Sequence, residues 1–271
     1  MATEYLTATV VGTAPVTRNV VRITFSVPGF RSTGMADEWV HIFLGEPGDH
    51  SRRRNYTIRA HRPEAHEVDI DVVLHEKGLM VDWTRAARPG DRLVWGQLGG
   101  SYEPPAGVEW QLLAGDITAL PAIGRIVEEL PPGARATVVA ETFDEADRQR
   151  WETQGDVEVV WLHGSGEGRE ASRLEHALRT FPEPEGLGYR WMAGETRVVR
   201  HARRHLRHER GLPKEQWSLT GYWLDRYEEW EARYAQVSGE MEAIWARGEA
   251  EGRDLEDIID EYDVALERAG L

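Results

Sequence analysis

The chain has 271 residues, 41% of them hydrophobic, which is enough for one large domain or two domains of moderate size. It contains no cysteine, which excludes disulfides, thiolate metal sites and cysteine-ligated iron–sulfur clusters. Its formal net charge of −15 argues against nucleic-acid binding, and no apolar run approaches the roughly 18 residues of a membrane span. The N-terminus shows no export signal, so we expect a soluble cytoplasmic protein without membrane insertion.

Short runs of β-branched and aromatic residues, separated by Gly, Pro and Asp clusters, dominate residues 1–105. This pattern predicts an antiparallel β-barrel domain. The predicted strands cover residues 5–11, 20–27, 39–44, 55–60, 67–74 and 92–96, and a short helix is predicted over residues 81–87.

The motif Arg54-Asn55-Tyr56-Thr57 lies in this predicted barrel, directly after Arg52 and Arg53. An arginine offers a permanently charged planar fork for a pyrophosphate. A tyrosine offers an aromatic wall, and a threonine offers a hydroxyl near a flavin ring. The motif is therefore a candidate flavin site, although it equally fits the basic edge of a strand with one buried tyrosine.

A second candidate phosphate site is the segment His75-Glu76-Lys77-Gly78, which follows a predicted strand and opens the predicted helix. Backbone N–H groups at such a turn can bind phosphate. Because Lys-Gly is also a common turn sequence, an ordinary turn is the alternative.

The pattern changes after a Pro-rich linker at residues 104–107. Strand-like and helix-like segments then alternate, which predicts an open parallel α/β domain over residues 106–224. The predicted strands cover residues 110–115, 136–140, 157–162, 189–193 and 218–223. The predicted helices cover residues 120–130, 172–179 and 195–210.

The first strand-to-helix junction of this half is a candidate ligand site, because open α/β sheets bind ligands beyond the carboxyl ends of their strands. Asp116, Thr118 and the free amides of the helix start follow the strand there. They could face a flavin or a nicotinamide, although the spacing is not G-x-G-x-x-G. A capped helix with Pro121 in its first turn is the alternative.

The second junction is Gly194-Glu195, which opens a helix carrying arginines at three- and four-residue spacing, among them Arg197 and Arg200. Such a face fits the 2′-phosphate of NADPH or an anionic substrate. It equally fits a solvated helix face, or one paired with the acidic tail. The histidines of this helix do not form a metal-binding pattern, so no metal site is predicted.

The last predicted strand ends in Tyr222-Trp223, an aromatic pair that could lie beside an isoalloxazine ring or pack in the core. Residues 225–271 then carry 15 acidic and 5 basic side chains, with apolar residues at helical spacing. We expect an acidic amphipathic extension of two helices, broken between Gly248 and Gly252 and capped at Asp254. It could pack on its own domain or form a homodimer.

In chain order, these motifs resemble those of the siderophore-interacting protein family, flavin-dependent ferric-siderophore reductases related in fold to ferredoxin–NADP reductases. The matching segments lie within residues 5–223 and cover residues 37–41, 54–57, 69–75, 87–91, 114–123, 191–195, 210–212 and 220–223. The resemblance implies a six-stranded FAD-binding barrel, an NAD(P)H-binding-like domain and FAD at their junction.

The residue pattern and the resemblance together predict three groups of site residues, with no catalytic residue assigned. The FAD-binding group is Arg54, Asn55, Tyr56, Thr57, Asp71, His75, Gly78, Thr118, Ala119, Tyr222 and Trp223. The NAD(P)H-binding group is Asp116, Gly194, Glu195, Arg197 and Arg200. The group expected to bind the substrate is His41, Arg52, Arg53 and Arg226.

The chain departs from the family pattern at three positions. His41 stands where the family often has Lys near the siderophore pocket, and Ile117 stands where it usually has Glu. Leu224 stands where an Arg usually follows the Tyr-Trp pair, with Arg226 two residues further on. These changes alter the basic groups offered to the substrate, and His41 makes that site pH-dependent.

The leading hypothesis is a ferric-siderophore reductase, in which NADPH, NADH or a ferredoxin-like protein reduces FAD and the flavin passes single electrons to Fe(III). One alternative is a flavin reductase of the same fold with another acceptor. The other is a non-catalytic siderophore-binding protein that lacks FAD.

Overall fold

The computed structural model describes residues 5–166, 168 and 170–271. Seven strands form the first sheet: β1 (Leu6–Pro15), β2 (Val20–Ser26), β3 (Trp39–Phe43), β4 (Arg53–Thr57), β5 (Ala60–Arg62), β6 (Glu67–Val73) and β7 (Arg92–Gly99). Helix α1 (Leu79–Ala86) lies between β6 and β7 in the chain. The pairing is antiparallel throughout, in the order β4-β3-β7-β1-β2-β6-β5. The predicted antiparallel barrel is confirmed.

The run predicted as one strand over residues 55–60 is divided in two, so seven strands stand where six were predicted. β4 pairs with β3 at one edge of the sheet, and β5 pairs with β6 at the other edge. The two residues between them join these edges. The Ile58 N–H donates to the Glu38 carbonyl at 2.8 Å, and the Arg59 N–H donates to the Asp69 carbonyl at 2.9 Å. The sheet therefore closes on itself at Ile58-Arg59.

Five parallel strands form the second sheet: β8 (Trp110–Gly115), β9 (Arg135–Thr142), β10 (Asp156–His163), β11 (Gly188–Glu195) and β12 (Trp217–Trp223). Their order is β10-β9-β8-β11-β12. The helices are α2 (Leu120–Glu129), α3 (Leu174–Thr180) and α4 (Thr196–Arg204). Every residue of β8 is buried, as expected for a central parallel strand covered on both faces. The predicted open parallel sheet is confirmed.

The helix predicted over residues 195–210 differs in its second half. The α-helix ends at Arg204, and one π-helical turn continues over His205–Glu209. Arg179 of α3 contacts both ends of this turn, with hydrogen bonds of 2.9 Å to His205 Nδ1 and 2.5 Å to a carboxylate oxygen of Glu209. Arg210, directly after this turn, pairs with the Glu183 carboxylate at 2.8 Å, so part of the predicted basic helix face pairs with a side chain of the same domain.

Asp37, in the segment before β3, ties the barrel to the parallel sheet. It is 2% exposed, and its carboxylate accepts from the Ser101 N–H at 2.9 Å and the Tyr102 N–H at 2.9 Å. It also accepts from the Ser101 hydroxyl at 2.8 Å and from Nε1 of Trp191 in β11 at 3.0 Å. One buried carboxylate thus connects β11 with the segment before β3 and the segment after β7.

The segment that closes the barrel also contacts helix α2. Arg125 Nη1 donates to the Ile58 carbonyl at 3.0 Å, and Arg59 forms two hydrogen bonds of 2.7 Å with the Glu128 carboxylate. Both arginines are only 7% exposed. The residues that join the barrel edges therefore also form the surface on which the second sheet's helix packs.

Residues Met1–Trp223 form one compact unit and Leu224–Leu271 form a second. The second unit contains α5 (Tyr227–Ala250) and α6 (Leu255–Arg268), and Asp254 caps α6 as predicted by accepting from the Glu256 N–H at 2.9 Å. Gly248 does not break α5. A side chain at Gly248 would meet Ile258 of α6 at 2.4 Å, so this glycine lets the two helices approach. In the described part of the chain, no helix is both long and apolar enough to cross a membrane.

Candidate functional site

The strand that carries the Arg54–Thr57 motif meets the last strand of the parallel sheet. Burial raises the pKa of Tyr222 in β12, and a hydrogen bond with Thr57 of β4 opposes that rise. Nearby, the Ser101 and Thr220 hydroxyls lie 3.4 Å apart. The barrel motif and the aromatic pair, which are more than 160 residues apart in sequence, therefore lie at one junction.

Arg54 lies on β4 opposite Ile42 of β3, and its side chain is exposed. Its Nη1 donates to the Arg53 carbonyl at 2.7 Å and to the Ser51 carbonyl at 3.3 Å. Among the residues that the structure describes, no carboxylate lies within ion-pair distance of its guanidinium. A guanidinium held by backbone carbonyls keeps donors for a phosphate, so Arg54 fits the phosphates of FAD.

Tyr56 and Thr57 follow on the same strand, with Tyr56 half-buried and Thr57 buried. Burial raises the pKa of Tyr56 and the Arg54 charge opposes the rise, so the phenol is neutral near pH 7. Tyr56 therefore offers an uncharged aromatic face. Thr57 offers a hydroxyl that lies near the Tyr222 phenol and lowers its pKa. Asn55 is exposed beside them, opposite His41 of β3.

The predicted phosphate turn lies directly before α1. Gly78 is the residue at the helix N-terminus, and no side chain caps the first N–H groups of α1. A Cβ at Gly78 would lie 2.8 Å from Cε1 of the His75 ring, so the turn needs glycine for this close approach. Arg85 donates to the His75 carbonyl at 2.9 Å, which fixes the turn from the other end of the helix. An uncapped helix start of this kind fits a phosphate.

Replacing Gly78 with alanine is expected to weaken FAD binding roughly tenfold, because the His75 ring must move away from the helix start. Titration of the apoprotein with FAD measures the effect. Gly12→Ala is the matched control, since a Cβ at Gly12 meets no atom within 4 Å. Equal FAD affinity in Gly78→Ala and Gly12→Ala would contradict a role for this turn in phosphate binding.

The turn after β8 brings the second sheet to the barrel, since residues 117–119 contact β6. Thr118 is half-buried and Ala119 is fully buried. Asp116 is 2% exposed and accepts hydrogen bonds from Thr118, Glu195 and Trp223. The carboxyl ends of three different strands supply Asp116, Glu195 and Trp223. The structure therefore joins two residues of the predicted NAD(P)H-binding group with one of the predicted FAD-binding group.

Several other predicted site residues differ in their burial and in their partners. Asp71 is buried, and both its oxygens accept from Arg22 at 2.7 and 2.8 Å, so the structure assigns its carboxylate to the cohesion of the barrel. Arg226 lies in the second compact unit, 3.5 Å from the Asp225 carboxylate, and its substrate role stays a prediction. In α4, Arg197 is half-buried and Arg200 is 7% exposed, so Arg200 is not on a solvated face.

Three of the four predicted substrate residues, His41, Arg52 and Arg53, lie on β3, β4 and the turn between them. The His41 ring stacks on Trp39 with ring centroids 4.9 Å apart, and Arg53 Nη1 lies 3.0 Å from Nδ1 of His50. Burial lowers the pKa of His41, and the Arg53 charge lowers it further. His41 is therefore neutral near pH 7 and gains charge only in acid. Arg52 donates to the Leu44 carbonyl at 3.1 Å and is exposed.

Asp37 and Asp116 hold separate segments of the site together, and this role was not predicted from the sequence. Both carboxylates are buried and accept hydrogen bonds from distant segments of the chain. The only signal in the sequence was an acidic residue at the edge of an apolar run, which is also the pattern of a simple turn.

Two family profiles match the chain. The siderophore-interacting FAD-binding domain matches residues 46–102, and the siderophore-interacting protein matches residues 108–226. The chain is 32% identical over 204 residues to the uncharacterized protein Mb2919c of Mycobacterium bovis, covering 70% of this chain and 71% of that protein.

Two further relatives are covered less completely. The chain is 31% identical over 239 residues to the mycobactin import ATP-binding/permease protein IrtA of Mycolicibacterium smegmatis, covering 80% of this chain but only 26% of that protein. It is 30% identical over 173 residues to the ferric vibriobactin reductase ViuB of Vibrio cholerae, covering 63% of this chain and 64% of that protein.

Solved structures agree with these matches. A siderophore utilization protein from T. fusca superimposes with a TM-score of 0.71 at 28% identity, covering 83% of this chain and 95% of that one. The siderophore-interacting protein SipS from Aeromonas hydrophila gives 0.67 at 28% identity, covering 83% of this chain and 100% of that one. A ferredoxin NADP+ reductase from Neisseria gonorrhoeae, at 13% identity and a TM-score of 0.59, shares the fold and covers 81% of this chain and 99% of that one.

The fold and the site together define an FAD-dependent oxidoreductase. The barrel supplies the FAD-binding domain, and the parallel sheet supplies the second half of the junction. The chain belongs to the siderophore-interacting protein family.

Proposed function

We propose that this protein is a ferric-siderophore reductase that takes electrons from NADPH or NADH and passes them through FAD to siderophore-bound Fe(III). The observation that carries the proposal is that the barrel and the strand of Tyr222-Trp223 lie at one junction, where the Ser101 and Thr220 hydroxyls are 3.4 Å apart and Thr57 lies near Tyr222. The name of the relative ViuB, a ferric vibriobactin reductase, supports the same reaction.

In this proposal, the barrel would hold the FAD phosphates, and the flavin ring would lie between the barrel and the parallel sheet. Arg54 and the N–H groups at the start of α1 hold the FAD phosphates. Tyr56 and Thr57 line the flavin ring from the barrel, while Thr118 and Trp223 approach it from the parallel sheet. FAD supplies the ability to accept two electrons as a hydride and to release them one at a time.

The reaction balances with two ferric complexes for each nicotinamide. One NAD(P)H loses two electrons and releases one proton, and each Fe(III) gains one electron to become Fe(II). Fe(II) is held less tightly by the hard oxygen ligands of a siderophore, so reduction frees the iron. NADPH and NADH are supplied in the cytoplasm, so we propose that the protein acts there.

The substrate in this proposal is an anionic ferric complex bound near β3 and β4. Arg52, Arg53 and His50 place basic groups around His41 on this side of the barrel. Because the pKa of His41 is lowered, His41 adds no charge near pH 7, and Arg52 and Arg53 supply permanent charge. A basic surface on a protein of net charge −15 attracts an anion locally despite the overall charge.

The test begins with the absorbance spectrum of the purified protein and its reconstitution with FAD. The FAD-loaded protein is then mixed anaerobically with NADPH or NADH and with ferric catecholate, hydroxamate and citrate complexes, and Fe(II) is trapped by a coloured chelator. We expect two Fe(II) per nicotinamide oxidised. Free FAD with NADPH, and apoprotein with NADPH, are the controls.

Three outcomes would contradict the proposal. A yellow protein that reduces other acceptors but releases no Fe(II) is a flavin reductase with a different acceptor. A colourless protein that binds a ferric siderophore without FAD is a non-catalytic binder. If only a reduced ferredoxin can reduce the flavin, that protein and not the nicotinamide is the electron donor.

A further inference from the structure

The Asp116 carboxylate lies where the carboxyl ends of three strands converge. Asp116 follows β8, and its Oδ1 accepts from the Thr118 N–H at 2.9 Å and from the Thr118 hydroxyl at 2.5 Å. Its Oδ2 accepts from Nε1 of Trp223, at the end of β12, at 2.7 Å and from the N–H of Glu195, at the end of β11, at 3.0 Å. Four donors from three segments thus share one carboxylate that is 2% exposed.

The turn after β11 and the end of β12 pack closely around this carboxylate. A Cβ at Gly194 would lie 2.5 Å from Asp116 Oδ2, so only glycine lets the turn after β11 come this close. The Thr196 hydroxyl donates to the Trp223 carbonyl at 2.8 Å, so Trp223 is held through both its backbone and its indole. Glu195 in turn accepts from the N–H groups of Arg197 and Val198 at the start of α4.

This position is the topological switch point of the parallel sheet. The chain runs outward from β8 to β9 and β10, and then returns to place β11 on the other side of β8. In open α/β sheets, ligands bind outside the carboxyl ends of the strands at that point. Asp116 and the turn at Gly194-Glu195 flank it from its two sides.

We propose that Asp116 is a positioning residue for the hydride donor, acting through Trp223 and the Gly194-Glu195 turn rather than by touching the nicotinamide. This inference rests on the proposed function. It replaces the prediction that Asp116 binds NAD(P)H directly, because each oxygen of its carboxylate already accepts two hydrogen bonds and the residue is 2% exposed. Burial raises the pKa of Asp116, while the hydrogen bonds from Thr118 and Trp223 oppose that rise.

The variant Asp116→Asn tests this role with almost no change in shape. In one orientation the new amide NH₂ faces Nε1 of Trp223 and the Glu195 N–H, which lose their acceptor. In the other it faces Thr118, whose hydroxyl can turn to accept, and Trp223 and Glu195 keep only a weaker, neutral oxygen. We expect the NADPH or NADH concentration for half-maximal flavin reduction to rise about tenfold in anaerobic stopped-flow measurements. FAD affinity is expected to fall less than nicotinamide affinity, because Arg54 and the α1 turn, which hold the phosphates in the proposed function, are untouched.

Two readouts separate this role from the proposed reductase activity. In the apoprotein, amide hydrogen exchange of residues 194–198 is expected to quicken in Asp116→Asn, because the Glu195 N–H loses its charged acceptor. With FAD reduced by stoichiometric dithionite, the variant is expected to reduce ferrioxamine B or ferric citrate at the wild-type rate. If the wild-type flavin accepts no electrons from either nicotinamide, the proposed electron donor fails, and hydrogen exchange still decides the role of Asp116.

Asp147→Asn is the matched control. Asp147 is fully buried and also accepts three hydrogen bonds, from the Thr17 hydroxyl and from the N–H and Nδ2 of Asn19. The half-saturating nicotinamide concentration of the Asp147→Asn variant is expected to stay at the wild-type value. Trp223→Phe keeps an aromatic ring but removes the indole donor, so it is expected to reproduce part of the Asp116→Asn effect.

Wild-type half-saturation together with wild-type exchange at residues 194–198 in Asp116→Asn would overturn the proposal. If Asp116→Asn does not fold, Trp223→Phe decides instead. A Trp223→Phe variant with wild-type half-saturation would then overturn the proposal.

Discussion

The variant Arg54→Ala is expected to bind FAD about tenfold to a hundredfold more weakly than the wild type. A charge-assisted hydrogen bond contributes about 1.5–3 kcal/mol, and Arg54 is the exposed guanidinium of the strand that reaches the junction. Titration of apoprotein with FAD, followed by quenching of flavin fluorescence, measures the change. Riboflavin affinity is expected to stay nearly constant, because riboflavin has no pyrophosphate.

Two companion variants sharpen this experiment. Arg54→Lys keeps the charge but loses the planar fork, so its affinity is expected between those of the wild type and Arg54→Ala. Arg92→Ala removes another exposed arginine of the barrel, at the start of β7, and is expected to bind FAD normally. FAD binding of wild-type strength in Arg54→Ala would remove the phosphate role of Arg54.

The variant Asp37→Ala is expected to lose about 3–5 kcal/mol of unfolding free energy. The change leaves the N–H groups of Ser101 and Tyr102 and the indole N–H of Trp191 without their acceptor in a buried place. For a unit of this size, the loss corresponds to a fall in Tm of roughly 10 °C. Chemical and thermal denaturation, followed by circular dichroism, measure it.

Asp156→Ala is the control for Asp37→Ala, because Asp156 is an exposed aspartate at the start of β10. Its effect is expected to stay within about 0.5 kcal/mol. Similar stability losses in the two variants would show that the Asp37 hydrogen bonds do not hold the barrel and the parallel sheet together.

The sequence was sufficient to predict both sheets, because their patterns depend on local composition. β2 alternates between buried and more exposed residues, and β8 is a continuous buried run, as strands with one and with two covered faces should be. The helix start at Gly78 and the cap at Asp254 were also predictable, since both depend on residues close in the chain.

The division of the strand at residues 55–60 could not be predicted in the same way. Nothing at Ile58-Arg59 resembles a turn, and the break arises because the two halves pair with different strands. Likewise, the sequence placed Thr57 and Tyr222 in separate motifs, and only the packing of the two sheets brings them together. The role of Asp116 depends on three strand ends meeting, which is a property of the sheet order.

The contacts at Ile58-Arg59 have a consequence for how this fold can be divided. Arg125 and Glu128 of α2 bind the two residues at which the barrel edges join. A fragment cut at the linker near residue 105 would therefore leave Arg59 without Glu128 and the Ile58 carbonyl without Arg125. The barrel alone would therefore be a poor candidate for grafting onto another protein, because some of the contacts at the point where its edges join come from helix α2 of the neighbouring domain.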